Sequence, residues 1–269
     1  MSSGSLPLTG ALFTAEEMTD VEAWSLAGGT CVVFSAPSPE GGTNQDAAAV
    51  IPMTETSGVV AVADGLGGER GGARAAERAV RALADAVRER EPETLLRTVM
   101  MDGFEAANRA VEELAVGATT LVALAIEDGG VRPYHVGDSS VLLCGGRGKL
   151  KLLTVSHSPV GFAVAAGVLY EDEAMHHKER HIVSNVLGSP DMRIEVGPRR
   201  RLAARDTAVL ASDGLLDNLH TEEVVELARR GVPVEAALNL VEAARRRMLE
   251  PEKGVPSKPD DLTLALFRP

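Results

Sequence analysis

VAVADGLGGERGG, residues 60–72, runs apolar up to Asp64 and then places five glycines in the next eight residues. Such a loop either cradles a phosphate on its backbone or presents a carboxylate to a metal ion. A dinucleotide fingerprint G-x-G-x-x-G, counted from Gly65 and Gly67, meets Arg70 where its third glycine belongs. A phosphate-binding loop ends in Gly-Lys-Ser/Thr, whereas here Gly72 is followed by Ala73 and Arg74. Both phosphate templates fail. The metal reading starts from a common turn dipeptide, since Asp-Gly occurs at 64–65, 102–103, 128–129 and 213–214. Context separates two of them from the rest. VAVAD-G and AVLASD-G each bring an aspartate to the tip of an apolar strand, where an unpaired carboxylate is costly.

Outward from that loop, the chain reads as strands, two helices, many strands, then helices and a last strand. GTCVVFSA (29–36), AAAVIP and GVVAVAD are apolar runs of strand length. Ala76, Val80, Leu83 and Val87 recur at helical spacing within 73–90, and Leu96, Met100, Phe104, Ala107, Val111 and Leu114 do so within about 94–115. GATTLVALAI, a turn at Asp128-Gly129, VRPYHVG, SSVLLC and KLKLLTV continue as strands. Residues 155–190 lack a period, short strands are expected at 192–196 and in TAVLASD (207–213), and Thr221 is placed to cap a helix. Pro233 opens the last helix, and DLTLALF (261–267) closes the chain. Direct strand-to-strand connections exclude a regular βαβ alternation. They predict an α+β fold of antiparallel sheets covered by helices. Residues 1–28 are expected to be a poorly ordered or peripheral lead-in, and residues 29–269 a single domain.

Composition bounds the function. The chain has 269 residues, 45% of them hydrophobic but only 3% aromatic, so its core is aliphatic. A net charge of −12 argues against nucleic acid and anionic membrane surfaces as partners. No apolar run reaches the ~20 residues needed to span a bilayer. Cys31 and Cys144 lie in separate strand-like runs and read as reduced, buried thiols. With no signal-peptide pattern at the N-terminus, the expectation is a cytoplasmic protein.

The acidic strand tips carry the chemistry. Asp64, Asp213, Asp260-Asp261 and Asp46 give four acidic edges without an adjacent Lys or Arg. If the strands adjoin, mutual repulsion calls for a cation, and oxygen ligands suit hard ions such as Mg²⁺ or Mn²⁺. At this point the chain resembles the PPM (type 2C) family of metal-dependent serine/threonine protein phosphatases. The resemblance rests on NQDA (44–47), VADGLGG (62–68), GATTLVALAI (117–126), HVGDSSVLL (135–143), LASDGLLDNL (210–219) and DDLTLALF (260–267), in family order. AGVLYEDEAMHHKERHIVSNVLG (166–188) is similar to the family's flap, part of a flap segment around 155–190.

The resemblance implies a four-layer αββα sandwich of two antiparallel sheets flanked by helices. It implies two divalent ions, Mn²⁺ or Mg²⁺, bridged by Asp64, with the Gly65 carbonyl on one ion and Asp213 and Asp260 on the other. Asp46 would orient the attacking water, and Asp138 and Asp217 match the positions for a third, weaker ion. The implied reaction is hydrolysis of phosphoserine and phosphothreonine in proteins by a water activated between two metals. The implied partners are phosphorylated proteins, among them a Ser/Thr kinase or its targets. Three departures bear on this. Gly41 stands where the family carries an arginine that grips the substrate phosphate, and Arg70 or Arg74 is the candidate substitute. Leu66 stands where some members carry an acid histidine, and Asp261 replaces an asparagine. Gly41 opens the alternative of a metal-loaded phosphoprotein-binding module with little turnover, and a weakened phosphate grip also admits small phosphate esters as substrates. His177 and His181, at helical i, i+4 spacing in HHKERH, read as polar flap residues.

Overall fold

Alternate residues of DAAAVIPMT (46–54) enter two different cores. Ala47, Ala49 and Ile51 pack with helical residues such as Ala76, Val80 and Leu83. Ala48 and Val50 point the other way, to Val33, Val141, Leu210 and Phe267 of a second sheet. A strand covered on both faces has no polar face, which explains why these runs are continuously apolar rather than alternating.

The computed structural model describes residues 10–269, except for the side chains of residues 69 and 70. Strands β1 (Ala11–Thr14), β2 (Glu22–Leu26), β3 (Gly29–Ala36), β4 (Asp46–Thr54) and β5 (Ser57–Leu66) lead into helices α1 (Glu69–Arg88) and α2 (Leu96–Glu112). Strands β6 (Ala118–Thr119), β7 (Leu121–Glu127), β8 (Gly130–Val136), β9 (Ser140–Cys144) and β10 (Leu150–Leu153) follow, then helices α3 (Pro159–Ala165) and α4 (Glu171–Met175). Strands β11 (Glu195–Val196), β12 (Arg200–Arg201) and β13 (Thr207–Ala211) precede α5 (Asp213–Leu216), α6 (Thr221–Ala228), α7 (Pro233–Leu249) and β14 (Leu262–Arg268).

One sheet runs β1-β4-β5-β7-β8-β11, with β6 against β5 and β12 against β8; the other runs β10-β9-β13-β14-β3-β2. Their facing sides share one apolar core. Helices α1 and α2 cover the outer face of the first sheet, and α5, α6 and α7 cover that of the second. The architecture is the four-layer αββα sandwich.

Differences from the sequence reading have local causes. Residues 1–9 of the expected lead-in lie outside the described residues; residues 11–14 and 22–26 are peripheral but ordered, forming edge strands that bury Phe13 and Leu26, with Phe13 edge-to-face on Trp24. Strands of four and five residues are too short for periodicity to reveal. Helix α1 begins at Glu69, four residues before the expected start at 73 and inside the glycine-rich loop. The expected strand at 192–196 shrinks to Glu195–Val196. His220, not Thr221, precedes α6; Thr221 instead donates its N–H and Oγ1–H to Glu171 Oε1 of α4, latching the flap to that helix. Asp128 and Gly129, both at positive φ, make the β7–β8 hairpin turn as expected. Cys31 and Cys144 are free and buried, and burial pushes their thiols up to about 12 and about 11.

Candidate metal centre

The two sheets deliver aspartates to one end of the sandwich. Asp46 begins β4, and Asp64, near the end of β5, is its cross-strand partner. From the facing sheet, Ser212–Asp213 leaves β13 and Asp260 leads into β14, itself the hydrogen-bonded neighbour of β13. Asp138 sits in the β8–β9 turn, and Asp217, one helical turn beyond Asp213, caps the C-terminal end of α5. The six carboxylates expected from the sequence therefore meet.

Their electrostatics confirm the proximity. Burial first, then the charges of Asp213, Asp46, Asp138 and Asp260, push the Asp64 carboxyl well above the usual carboxylate range. Asp46 is raised by burial, opposed by a hydrogen bond from Ser212, with Asp261 and Asp213 adding to the rise. Burial and Asp213 take Asp138 up to about 7, and burial and Asp213 take Asp260 to about 6. Asp217 is raised by burial and by Asp213. Asp138 Oδ1 is buried without a hydrogen-bond donor. Crowded carboxylate oxygens, two of them (Asp138 Oδ1 and Asp217 Oδ2) without a hydrogen-bond donor, are the donor set of a hard divalent cation, so the residues present fit such ions.

A buried hydroxyl network fixes the aspartates. Ser212 Oγ donates to Asp46 Oδ2 at 2.7 Å and accepts from the Thr263 N–H at 3.1 Å. Thr263 Oγ1 and Ser35 Oγ lie 2.7 Å apart, Asn44 Nδ2 donates to Ser35 Oγ, and Asn44 Oδ1 accepts from the Asp46 N–H. On the other side Thr120 Oγ1 accepts from the Asp64 N–H, while Thr119 Oγ1 donates to the Asp64 carbonyl. The sequence reading missed these residues. Their signal was present: Ser35, Thr119, Thr120 and Thr263 interrupt apolar strands with hydroxyls that a core tolerates only when bonded.

Lys258 was missed as well. Its ammonium lies 2.6 Å from Asp213 Oδ2, 2.8 Å from Asp217 Oδ2 and 2.9 Å from Asp260 Oδ2. The Asp217 approach is a charge contact without hydrogen-bond geometry. Burial would lower the Lys258 pKa, but the three carboxylates outweigh it and raise it.

Gly65 and Gly72 of the 60–72 loop sit where a Cβ has no room. A Cβ on Gly65 would lie 2.2 Å from the Gly72 carbonyl oxygen, and one on Gly72 would lie 2.3 Å from Gln45 Oε1. A Cβ on Gly117 would lie 2.4 Å from the Gly71 carbonyl oxygen. The first turn of α1 can sit on β5 only because these positions lack side chains. Gly41 and Gly42 have φ of +90° and +111°, a left-handed turn that side chains rarely adopt. No arginine reaches the site from there. Asp261 neither joins the metal ligands nor faces solvent: its carboxylate accepts from the N–H groups of Ser38 (2.8 Å) and Gln45 (2.7 Å), stapling the 38–45 loop to the start of β14.

Arg74 is exposed and lines a surface cleft with Glu77, Arg78 and Arg81, none of them a site aspartate; the Arg70 side chain is outside the described residues. His177 and His181 are exposed, and α4 ends at Met175, so they do not share a helix turn. A cavity of about 290 Å³ opens beside the centre, with Asp138, Asp213 and Asp217 on one side and flap residues Val160, Met175 and Arg180 on the other.

The protein phosphatase 2C family model matches residues 38–249. A serine/threonine phosphatase, stp, of Listeria monocytogenes is 33% identical over 197 residues, covering 69% of this chain and 77% of that protein. The crystal structure of the S. agalactiae serine/threonine phosphatase superposes with a TM-score of 0.76 at 27% identity, over 88% of this chain and 98% of that one. The catalytic domain of the phosphatase PstP, solved with two manganese ions, superposes with a TM-score of 0.71 at 24% identity, over 88% of this chain and 96% of that one. With its fold, its acidic strand tips and these relatives in agreement, the chain belongs to the protein phosphatase 2C family of metal-dependent serine/threonine phosphatases, which are phosphoric monoester hydrolases.

Proposed function

We propose that this chain hydrolyses phosphoserine and phosphothreonine in proteins, using Mn²⁺ or Mg²⁺, with a Ser/Thr kinase or its targets among the substrates. The observation that carries it is the convergence of Asp46 and Asp64 from one sheet with Asp213 and Asp260 from the other. Asp64, the Gly65 carbonyl, Asp213 and Asp260 would hold two ions, and Asp138 and Asp217 a third. Bound divalent ions supply Lewis acidity, lowering the pKa of water and neutralising charge on the phosphoryl group. Asp46, oriented by Ser212 Oγ, accepts the proton of the attacking water and holds that water on line with the phosphorus. The cavity beneath the flap receives the residue that carries the phosphate, and Arg180 on its wall is better placed than Arg74 to meet the anion.

The test is phosphate release from a phosphothreonine peptide with and without Mn²⁺. Asp64→Asn and Asp213→Asn are each expected to lower the rate by roughly 100-fold or more, the size expected for losing a group that stabilises the transition state. Wild-type rates in both variants would remove the proposal. A second reading, a binding module of the same fold, draws on the Gly41–Gly42 turn, which leaves the phosphate without its usual arginine. Saturable peptide binding without phosphate release at any Mn²⁺ concentration would favour it.

A further inference from the structure

Lys258 is held as firmly as the aspartates it touches. Its backbone is clamped on both sides by the buried Asn218: the Lys258 N–H donates to Asn218 Oδ1 at 2.8 Å, and Asn218 Nδ2 donates to the Lys258 carbonyl at 2.9 Å. Asn218 Nδ2 also donates to the carbonyl of Gly214, so the clamp ties Lys258 to the turn that carries Asp213 and Asp217. Pro259 follows, fixing the backbone that leads to Asp260. The side chain is only 22% exposed, and its ammonium bridges aspartates from two segments, Asp213 and Asp217 at the two ends of α5 and Asp260 before β14. A flexible surface lysine that had merely drifted toward negative charge would lack this anchoring.

We propose that Lys258 is a tethered counter-cation: it offsets part of the negative charge of Asp213, Asp217 and Asp260 in the metal-free protein, and divalent ions reach those three carboxylates only in competition with it. The inference rests on reading these aspartates as metal ligands. Its physical basis is direct. A positive charge within 3 Å of three carboxylate oxygens offsets the repulsion that a cation would otherwise be needed to relieve. The same charge repels an incoming ion and must leave its carboxylates before that ion can take them. The Asp64 side of the centre, which Lys258 does not contact through a hydrogen bond, keeps its affinity. One face of the centre therefore binds ions tightly, and the other binds them weakly.

Calorimetric titration of Mn²⁺ into the metal-free protein tests this with a readout independent of turnover. Lys258→Met is expected to tighten the weaker binding phase by roughly tenfold, the scale of a nearby like charge removed from a partly buried site. Lys258→Arg, which keeps the charge, is expected to leave that phase near its wild-type value. In EDTA, Lys258→Met is expected to melt below wild type and to recover on addition of Mn²⁺. The wild-type chain provides a check that does not depend on any variant folding. With ¹⁵N-labelled lysine, one Nζ resonance should be protected from hydrogen exchange without metal and lose that protection as Mg²⁺ is added. A folded Lys258→Met with unchanged or weaker Mn²⁺ binding, or no Mg²⁺-sensitive Nζ resonance, overturns the inference while leaving the metal centre standing. Failure of wild type and Lys258→Met alike to bind any divalent ion overturns the metal reading itself.

Discussion

His135 shows how burial sets chemistry at one residue. Its ring is buried and stacked on His157 at 4.4 Å, with Nε2 facing the Val155 carbonyl and Nδ1 unpartnered. Burial lowers its pKa most, the Val155 contact raises it, His157 lowers it and Glu195 raises it, for a net fall. Because the folded chain resists a proton that the unfolded chain accepts near pH 6.5, the contribution of His135 to stability rises with pH through the window below that value. The site aspartates, whose carboxyls burial raises, act the other way in the same window. The stability of wild type relative to His135→Gln is therefore expected to fall between pH 7 and pH 5.5, and a difference in denaturant midpoint that does not change with pH would refute the assignment. His157, Glu195 and His135 lie close enough to suggest a metal cluster. Yet His157 Nδ1 accepts from the Gly137 N–H and faces Asn185 Nδ2, which leaves its proton on Nε2, toward Glu195. The trio is a strut in which His157 hydrogen-bonds Glu195 and His135 stacks on His157.

At the scale of elements, the site depends on how loops are tied to strand ends. The 38–45 loop carries Asn44 and Gln45 toward Asp46 and is tied by the Asp261 carboxylate at both of its ends. Removing that acceptor leaves two backbone donors without their partner, each costing about 1–3 kcal/mol when desolvated. Asp261→Ala is expected to lower unfolding stability by about 2–6 kcal/mol, the sum for two donors, and to raise hydrogen exchange at Ser38 and Gln45. Asp261→Asn, which keeps one carbonyl acceptor, should lose less. Amide exchange indistinguishable from wild type in Asp261→Ala would show that the staple does not hold the loop. The six motifs were legible because strand-ending aspartates and glycines are local features. The staple was not, because Asp261 and Ser38 are far apart along the chain and only the β14–β3 pairing brings them together.

For the whole molecule, the centre lies where two sheets meet, so a bound ion joins them. Ions that bind the folded chain and not the unfolded one stabilise it in proportion to the logarithm of their saturation. At a Mn²⁺ concentration about 100 times the dissociation constant, the gain is expected to be ~2.7 kcal/mol. Thermal melts with Mn²⁺ should shift upward in the wild type and not in Asp64→Asn; a shift that survives that substitution would place the ion elsewhere. The sequence alone determined the longer strands and helices, the acidic strand tips and the family they resemble. Each of these is written in neighbouring residues, through periodicity, apolar runs and short motifs. Only the tertiary structure decided that residues 11–14 and 22–26 add an edge strand to each sheet, that the Asp261 carboxylate binds the backbone of the 38–45 loop, and that Lys258 stands among the carboxylates. These are contacts between residues distant along the chain, set by which strands pair and which way side chains face, and no local pattern encodes them.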